Sequence, residues 1–193
     1  PAADGTVIAL GYSVLKRLGI SGIRLHLNSI GCPSCRPAFR AALTEHFSAH
    51  TEKLCDTCRE RLGKNPLRLL DCKSPICSEI AKNAPKTVDH LCPECKQHMD
   101  ELEGYLKEMG IEYEIDPHIV RGLDYYTRTV FEITSDALGA QSTVCGGGRY
   151  NGLVEELGGK PTEGIGFAVG IERLAMIMEK QGLAVNFISL SPE

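Results

Sequence analysis

From Arg121 to Glu132 the chain reads Arg-Gly-Leu-Asp-Tyr-Tyr-Thr-Arg-Thr-Val-Phe-Glu, which sets a cation and two adjacent tyrosines at the start of an alternating segment. Beyond Tyr125 the alternation predicts a strand with Thr127, Thr129, Phe131 and Ile133 on one face and Tyr126, Arg128, Val130 and Glu132 on the other. The second face is too polar for apolar packing, and an Arg128–Glu132 ion pair would have to span about 13 Å along the strand. Such groups converge instead on neighbouring strands or on a polar ligand, so the segment predicts a charged binding floor. An edge strand with a solvated outer face is the alternative.

Two later segments carry related chemistry. Gln141 to Tyr150 predicts a short strand that breaks at Gly146, Gly147 and Gly148, followed by a helix with apolar Tyr150, Leu153, Val154 and Leu157. Adjacent glycines suit backbone that must approach a ligand closely. Gly164 to Leu174 predicts a buried strand running into a helix with apolar Ile171, Leu174, Ala175 and Met178. Arg173 falls in the first turn of that helix, where a cation opposes the dipole and is better satisfied by an anion such as phosphate.

Eight of the 9 cysteines form four close pairs: Cys32 with Cys35, Cys55 with Cys58, Cys72 with Cys77, and Cys92 with Cys95. Four chelating pairs are what two tetrahedral four-cysteine zinc sites require. Disulfides are the rival reading, with a thiol redox role behind both. The pairs can join in three ways. The expected arrangement puts Cys55, Cys58, Cys72 and Cys77 at one site and Cys32, Cys35, Cys92 and Cys95 at the other. His90 and His98 flank the last pair and are candidate replacement ligands, while most of the 6 histidines are expected to face solvent. Cys145 reads as a small buried residue at a strand end.

The elements that must position these groups follow from periodicity. A first helix carries Val7, Leu10, Val14 and Leu18 and ends at Gly19; Ile23, Leu25 and Leu27 alternate in a strand. Phe39, Leu43 and Phe47 fall four apart on a helix begun near Pro37, and Met99, Leu102, Leu106 and Met109 form another that ends at Gly110. Ile111, Tyr113 and Ile115 then alternate into Pro117. These segments predict an α+β fold, with helices flanking an antiparallel sheet. A length of 193 residues with 42% hydrophobic content suffices for one domain plus a small insertion. A net charge of −4 with no basic cluster excludes an independent nucleic-acid clamp, and neither a signal peptide nor a membrane span is visible.

The Arg121 to Tyr126 segment resembles the histidine-specific signature of the histidyl-tRNA synthetase family. Gly166-Phe-Ala-Val-Gly-Ile-Glu-Arg-Leu174 resembles the third shared motif of class II aminoacyl-tRNA synthetases. With Gly-Gly-Gly-Arg-Tyr between them, and Leu27 to Gly31 and Asn65 to Asp71 upstream, the likeness covers nearly the whole chain. It implies that histidine attacks the α-phosphate of ATP and that the histidyl group then passes to tRNA(His). Arg121 would lie against the α-phosphate and the histidine carboxylate as the catalytic residue. Tyr125, Tyr126 and Tyr150 would border the histidine side chain, Gly146, Gly147 and Gly148 would let backbone approach the substrate, and Arg173 would hold the terminal phosphates with Mg2+. The family departs from this sequence at Asn151, where aspartate is usual; asparagine is read as a substitute acceptor at a helix start.

The resemblance further implies a cytoplasmic homodimeric ligase of protein biosynthesis, with no membrane or DNA partner. A reducing compartment favours zinc over disulfides. Residues 1–47 and 99–182 are expected to be two parts of the catalytic core, 48–98 a metal-stapled insertion, and 183–193 a linker to an anticodon-binding domain. Nothing resembles the first two class II motifs, so the sequence is expected to be a fragment unable to activate histidine alone. A histidine-binding regulatory subunit of histidine biosynthesis is the alternative, and a zinc-based interaction module is a third reading.

Overall fold

The computed structural model describes residues 1–119 and 125–183; the expected catalytic Arg121 and residues 184–193 of the expected linker lie outside them. Five strands form one sheet in the order β2-β1-β3-β4-β5. Their bounds are β1 Ile23–Ser29, β2 Tyr113–Ile115, β3 Thr127–Ser135, β4 Thr143–Arg149 and β5 Ile165–Val169. β1 and β2 run parallel and the other three pairings are antiparallel. This is the expected α+β arrangement of a mostly antiparallel sheet with helices.

One sheet face is covered by α1 (Ala2–Arg17), α5 (Pro93–Glu108) and α7 (Ile171–Lys180). Ile8, Leu15, Leu102, Leu106 and Ile177 from these helices are buried against Leu25, Leu27, Phe131 and Ile133 of the sheet. Each such side chain contributes about 1.5–3 kcal/mol of burial free energy.

α1 does not bury the stripe expected of it. Asp4, Gly5, Ile8, Gly11 and Leu15 face inward, while Leu10, Val14 and Leu18 are exposed. The two glycines decide this. A Cβ at Gly5 would lie 3.1 Å from Met109, and one at Gly11 would lie 3.5 Å from the Cys145 sulfur, so the helix presents its thinnest face. α7 likewise turns Leu174, Ile177 and Met178 toward the core and leaves Ile171 exposed.

Between β1 and α5 lie α2 (Arg36–Ser48), α3 (Asp56–Lys64) and α4 (Pro75–Lys82). Phe39, Leu43 and Phe47 of α2 enter a second apolar cluster with Leu54, Leu69, Leu70 and Ala81. α2 therefore packs with the cysteine-rich segment that follows it rather than with the sheet core.

Two local expectations are corrected. Gly146, Gly147 and Gly148 do not end their strand: all three are paired within β4, to β3 on one side and β5 on the other. A Cβ at Gly147 would collide with the Gly166 carbonyl oxygen, and one at Gly148 would lie 2.5 Å from the Thr129 oxygen. The glycines serve close strand approach, and the following helix, α6 (Leu153–Glu156), is only 4 residues long. β3 also departs from strict alternation. Arg128 has φ +54°, and the pairing slips between Thr127 and Val130, which marks a bulge. Arg128 and Thr129 consequently both reach His98 on the helix side, where alternation had set them on opposite faces.

Candidate active site and metal centres

The sheet face away from the helices carries polar and very small residues. His26 and Thr134 hydrogen-bond there at 3.0 Å, Glu132 accepts from Thr143 at 2.7 Å, and Gly146 sits between Glu132 and Ala168. Gly148 sits between Val130 and Gly166. This floor lacks side chains where an aromatic wall needs space. A Cβ at Gly148 would lie 2.9 Å from the Tyr126 ring, one at Gly166 would lie 3.1 Å from the Tyr150 hydroxyl, and one at Gly164 would collide with the Tyr150 ring.

The three tyrosines picked out by sequence form one group. Tyr125 and Tyr126 have ring centroids 4.6 Å apart, and Tyr150 meets them edge-on at 6.1 and 6.4 Å. Tyr126 also packs on Ile30, Ile119 and Val130. Asn28 fixes the segment beneath by donating to the carbonyls of Pro117 and Ile119 at 3.3 and 3.0 Å. Phenols over a small-residue floor suit a flat, polar ring that can both donate and accept.

Arg173 faces a cleft of about 870 Å³ bounded by Glu132, Thr134, Asp116, Lys73 and Lys82. Its guanidinium donates to the Thr143 carbonyl at 2.5 Å, which aims it across the end of β4. Arg173, Lys73 and Lys82 share the cleft with the carboxylates of Asp71, Asp116 and Glu132, so the lining is of mixed charge, with the Arg173 guanidinium able to take an anion at one side of it. Another cleft, about 740 Å³ at the β2 edge, is lined by Tyr12, Arg24 and Tyr113 and includes none of the signature residues.

On the helix side a buried polar network backs this site, and sequence reasoning did not assemble it. Asp4, 0% exposed, accepts from His98 at 2.8 Å, from Thr129 at 2.5 Å, and from Arg149 through Nε at 3.1 Å and Nη2 at 2.5 Å. Burial alone would raise the Asp4 pKa, but these hydrogen bonds and the Arg149 charge outweigh it and hold the carboxyl well below the usual range. Arg149 also donates to Glu163 at 2.9 Å and to Asn151 at 3.1 Å. Asn151 is therefore a partner of a guanidinium, and the residue capping α6 is Gly152. His98, expected at the surface or on a metal, is buried here. Arg128 approaches its Nδ1 to 3.5 Å, and a guanidinium can only donate, so Nε2 carries the proton toward Asp4.

The eight paired cysteines gather into two groups, Cys32, Cys35, Cys92 and Cys95 in one and Cys55, Cys58, Cys72 and Cys77 in the other. Within each group all four sulfurs lie within 4.8 Å of one another, and among the described residues neither group includes a histidine. Sulfurs tetrahedrally placed about 2.3 Å from zinc are about 3.8 Å apart. The measured separations are 3.7 Å for Cys32–Cys35, 3.8 Å for Cys32–Cys92, and 3.9 Å for both Cys35–Cys95 and Cys55–Cys72. The eight paired cysteines are all reduced, with no disulfide among them.

Electrostatics also fits a cation. Burial opposes ionisation of Cys32, yet backbone hydrogen bonds from Cys35 and Ser34 lower it to about 6. Burial first, then the neighbouring Cys92 and Cys32, push Cys95 in the opposite direction. Four thiolates cannot share such a space without a positive charge among them.

A sequence profile of the Histidyl-tRNA synthetase family matches residues 1–174. The histidine–tRNA ligase of Desulforamulus reducens is 52% identical over 95% of this chain and 44% of that protein. That of Acetivibrio thermocellus is 54% identical over 95% of the chain and 44% of the relative. The chain thus spans less than half the length of the curated relatives it matches. An apo crystal structure of the S. aureus histidyl-tRNA synthetase superposes with a TM-score of 0.75 at 36% identity, covering 96% of this chain and 45% of the other. With the ordered signatures, the sheet and the profile in agreement, the chain belongs to the histidyl-tRNA synthetase family.

Proposed function

We propose that this chain supplies the histidine- and ATP-binding part of a histidine–tRNA ligase, which forms histidyl-adenylate and transfers histidine to tRNA(His). The observation that carries the reading is the tyrosine group over the glycine floor, with Arg173 at a cleft of mixed charge on the same sheet face. In this reading Tyr125, Tyr126 and Tyr150 enclose the imidazole, whose two nitrogens need both a donor and an acceptor. Gly146 and Gly148 keep the floor open, and Gly147 holds the strands close enough to form it. Arg173 binds the terminal phosphates, and Arg121 stabilises charge at the α-phosphate. The protein's contribution is positioning and charge neutralisation. Mg2+ enters with the nucleotide, between phosphate oxygens.

The two cysteine groups are read as structural zinc sites. The first joins the loop after β1 to the start of α5, and the second lies wholly between α2 and α5. Residues 48–98 form the stapled insertion between core parts 1–47 and 99–182, with α2 packed on the insertion. A cytoplasmic homodimer belongs to the same reading. Among the described residues no helix is long and apolar enough to cross a membrane.

The test is calorimetric titration of L-histidine and of L-phenylalanine into this chain completed to the length of its curated relatives. Binding of histidine with no measurable binding of phenylalanine is expected, because a site that pairs both ring nitrogens rejects an analogue lacking them. Equal affinity for the two would contradict the assignment of the pocket.

A further inference from the structure

The residue that links the first cysteine group to the tyrosines is Arg36. It directly follows Cys35 and opens α2, where a cation opposes the helix dipole. Its guanidinium reaches out of the helix and donates to the carbonyl oxygen of Tyr126. One residue beyond Tyr126 the chain enters β3, and there the Arg128 amide donates to the Gly31 carbonyl at 2.8 Å. Gly31 is itself part of the cysteine loop: it has φ +68°, and a Cβ on it would lie 2.6 Å from the Cys35 sulfur.

The other half of the cluster holds the same segment from α5. Glu94 pairs with Arg128 at 3.7 Å, and His98, three residues after Cys95, stands 3.5 Å from the same guanidinium. The short stretch Tyr126 to Arg128, with its left-handed residue, is therefore gripped from both sides by the two chain segments that the four sulfurs bring together. Tyr126 stacks on Tyr125 and packs into the Gly148 hollow, so a shift of its backbone displaces the aromatic wall.

We propose that Arg36 is a positioning residue that fixes the Tyr126 backbone to the Cys32–Cys35–Cys92–Cys95 cluster and so sets the affinity of the site for L-histidine. This rests on the histidine reading above. In this role the guanidinium acts through the Tyr126 backbone. Loss of the metal and loss of the guanidinium break the same linkage.

The test compares the unchanged protein, completed to the length of its curated relatives, with Arg36→Gln and Arg36→Lys. Zinc content, thermal unfolding, the histidine Kd by calorimetry, and KM and kcat in histidine-dependent ATP–pyrophosphate exchange are measured for each. Arg36→Gln should keep its zinc and raise Kd and KM for histidine by about tenfold, the scale typical of supporting-shell changes, with kcat altered less than about twofold. Arg36→Lys, which can still donate to a carbonyl, should recover part of the affinity. Chelation of the unchanged protein should reproduce the shift, and chelation of Arg36→Gln should add little to it. A histidine KM in Arg36→Gln equal to that of the unchanged protein overturns the proposal, as does a fall in kcat alone. If Arg36→Gln does not fold, the chelated protein decides, and an unaltered histidine Kd after metal loss overturns the linkage. An unchanged protein that binds no histidine overturns the underlying reading and the proposal with it.

Discussion

Replacing Asp4 with alanine removes the acceptor for five hydrogen bonds from His98, Thr129 and Arg149, all inside the molecule. Breaking a buried ion pair from one side costs about 3–5 kcal/mol because the partner charge is left unpaired. Arg149 keeps Glu163, which is largely exposed and compensates poorly, so a loss of about 3 kcal/mol is expected. Urea unfolding of the chain measures it, with an Arg149→Met variant and the double variant completing a cycle. The double variant should be less destabilised than the sum of the two by about 1–3 kcal/mol. The pH dependence has a fixed sign. Asp4 has a folded-state pKa below its unfolded value, so its stabilisation is complete above about pH 4 and is lost as pH falls toward the depressed folded-state pKa. The gap between the native protein and Asp4→Ala should therefore narrow on acidification. A loss under about 1 kcal/mol at neutral pH, or a gap that widens in acid, would refute the reasoning.

Other consequences are as direct. Gly148→Ala, whose Cβ would meet both the Thr129 carbonyl oxygen and the Tyr126 ring, should destabilise the sheet and also weaken histidine binding; unchanged binding in the folded variant would remove the hollow from the account. Gly147→Ala, facing backbone that cannot yield, should destabilise the sheet by about 2 kcal/mol or more in urea unfolding. Elemental analysis of metal-replete protein should give two zinc ions per chain, and metal uptake should release protons, since Cys95 and Cys58 are raised and Cys32 lies near 6. Arg173→Ala should raise the KM for ATP by at least about tenfold and leave histidine affinity nearly unchanged.

Much of this site could be read from residue order. Spacing located the cysteine pairs because two sulfurs on one turn is a local property, and the tyrosines and Arg173 lie in segments whose period declares strand or helix. The glycines misled because three in a row read as a turn, whereas β4 needs them to bring β3, β5 and the aromatic rings together. Asp4 was hidden for a different reason: an acid in a first helical turn is ordinary, and its partners His98, Thr129 and Arg149 are 94, 125 and 145 residues away. The inward face of α1 was chosen by Gly5 and Gly11 and not by its largest apolar residues, which periodicity counts and packing overruled. The Arg128 bulge shifted its neighbours across the sheet, and no local alternation announces a left-handed arginine.

The central claim is that the tyrosine face and the Arg173 cleft serve histidine activation. Histidine-dependent exchange of pyrophosphate into ATP tests it most directly, using this chain completed to the length of its curated relatives beside the same protein with Arg121→Ala. The account predicts exchange that requires histidine and collapses with the substitution. A folded, zinc-replete protein without exchange would contradict it and favour a histidine-binding regulatory role.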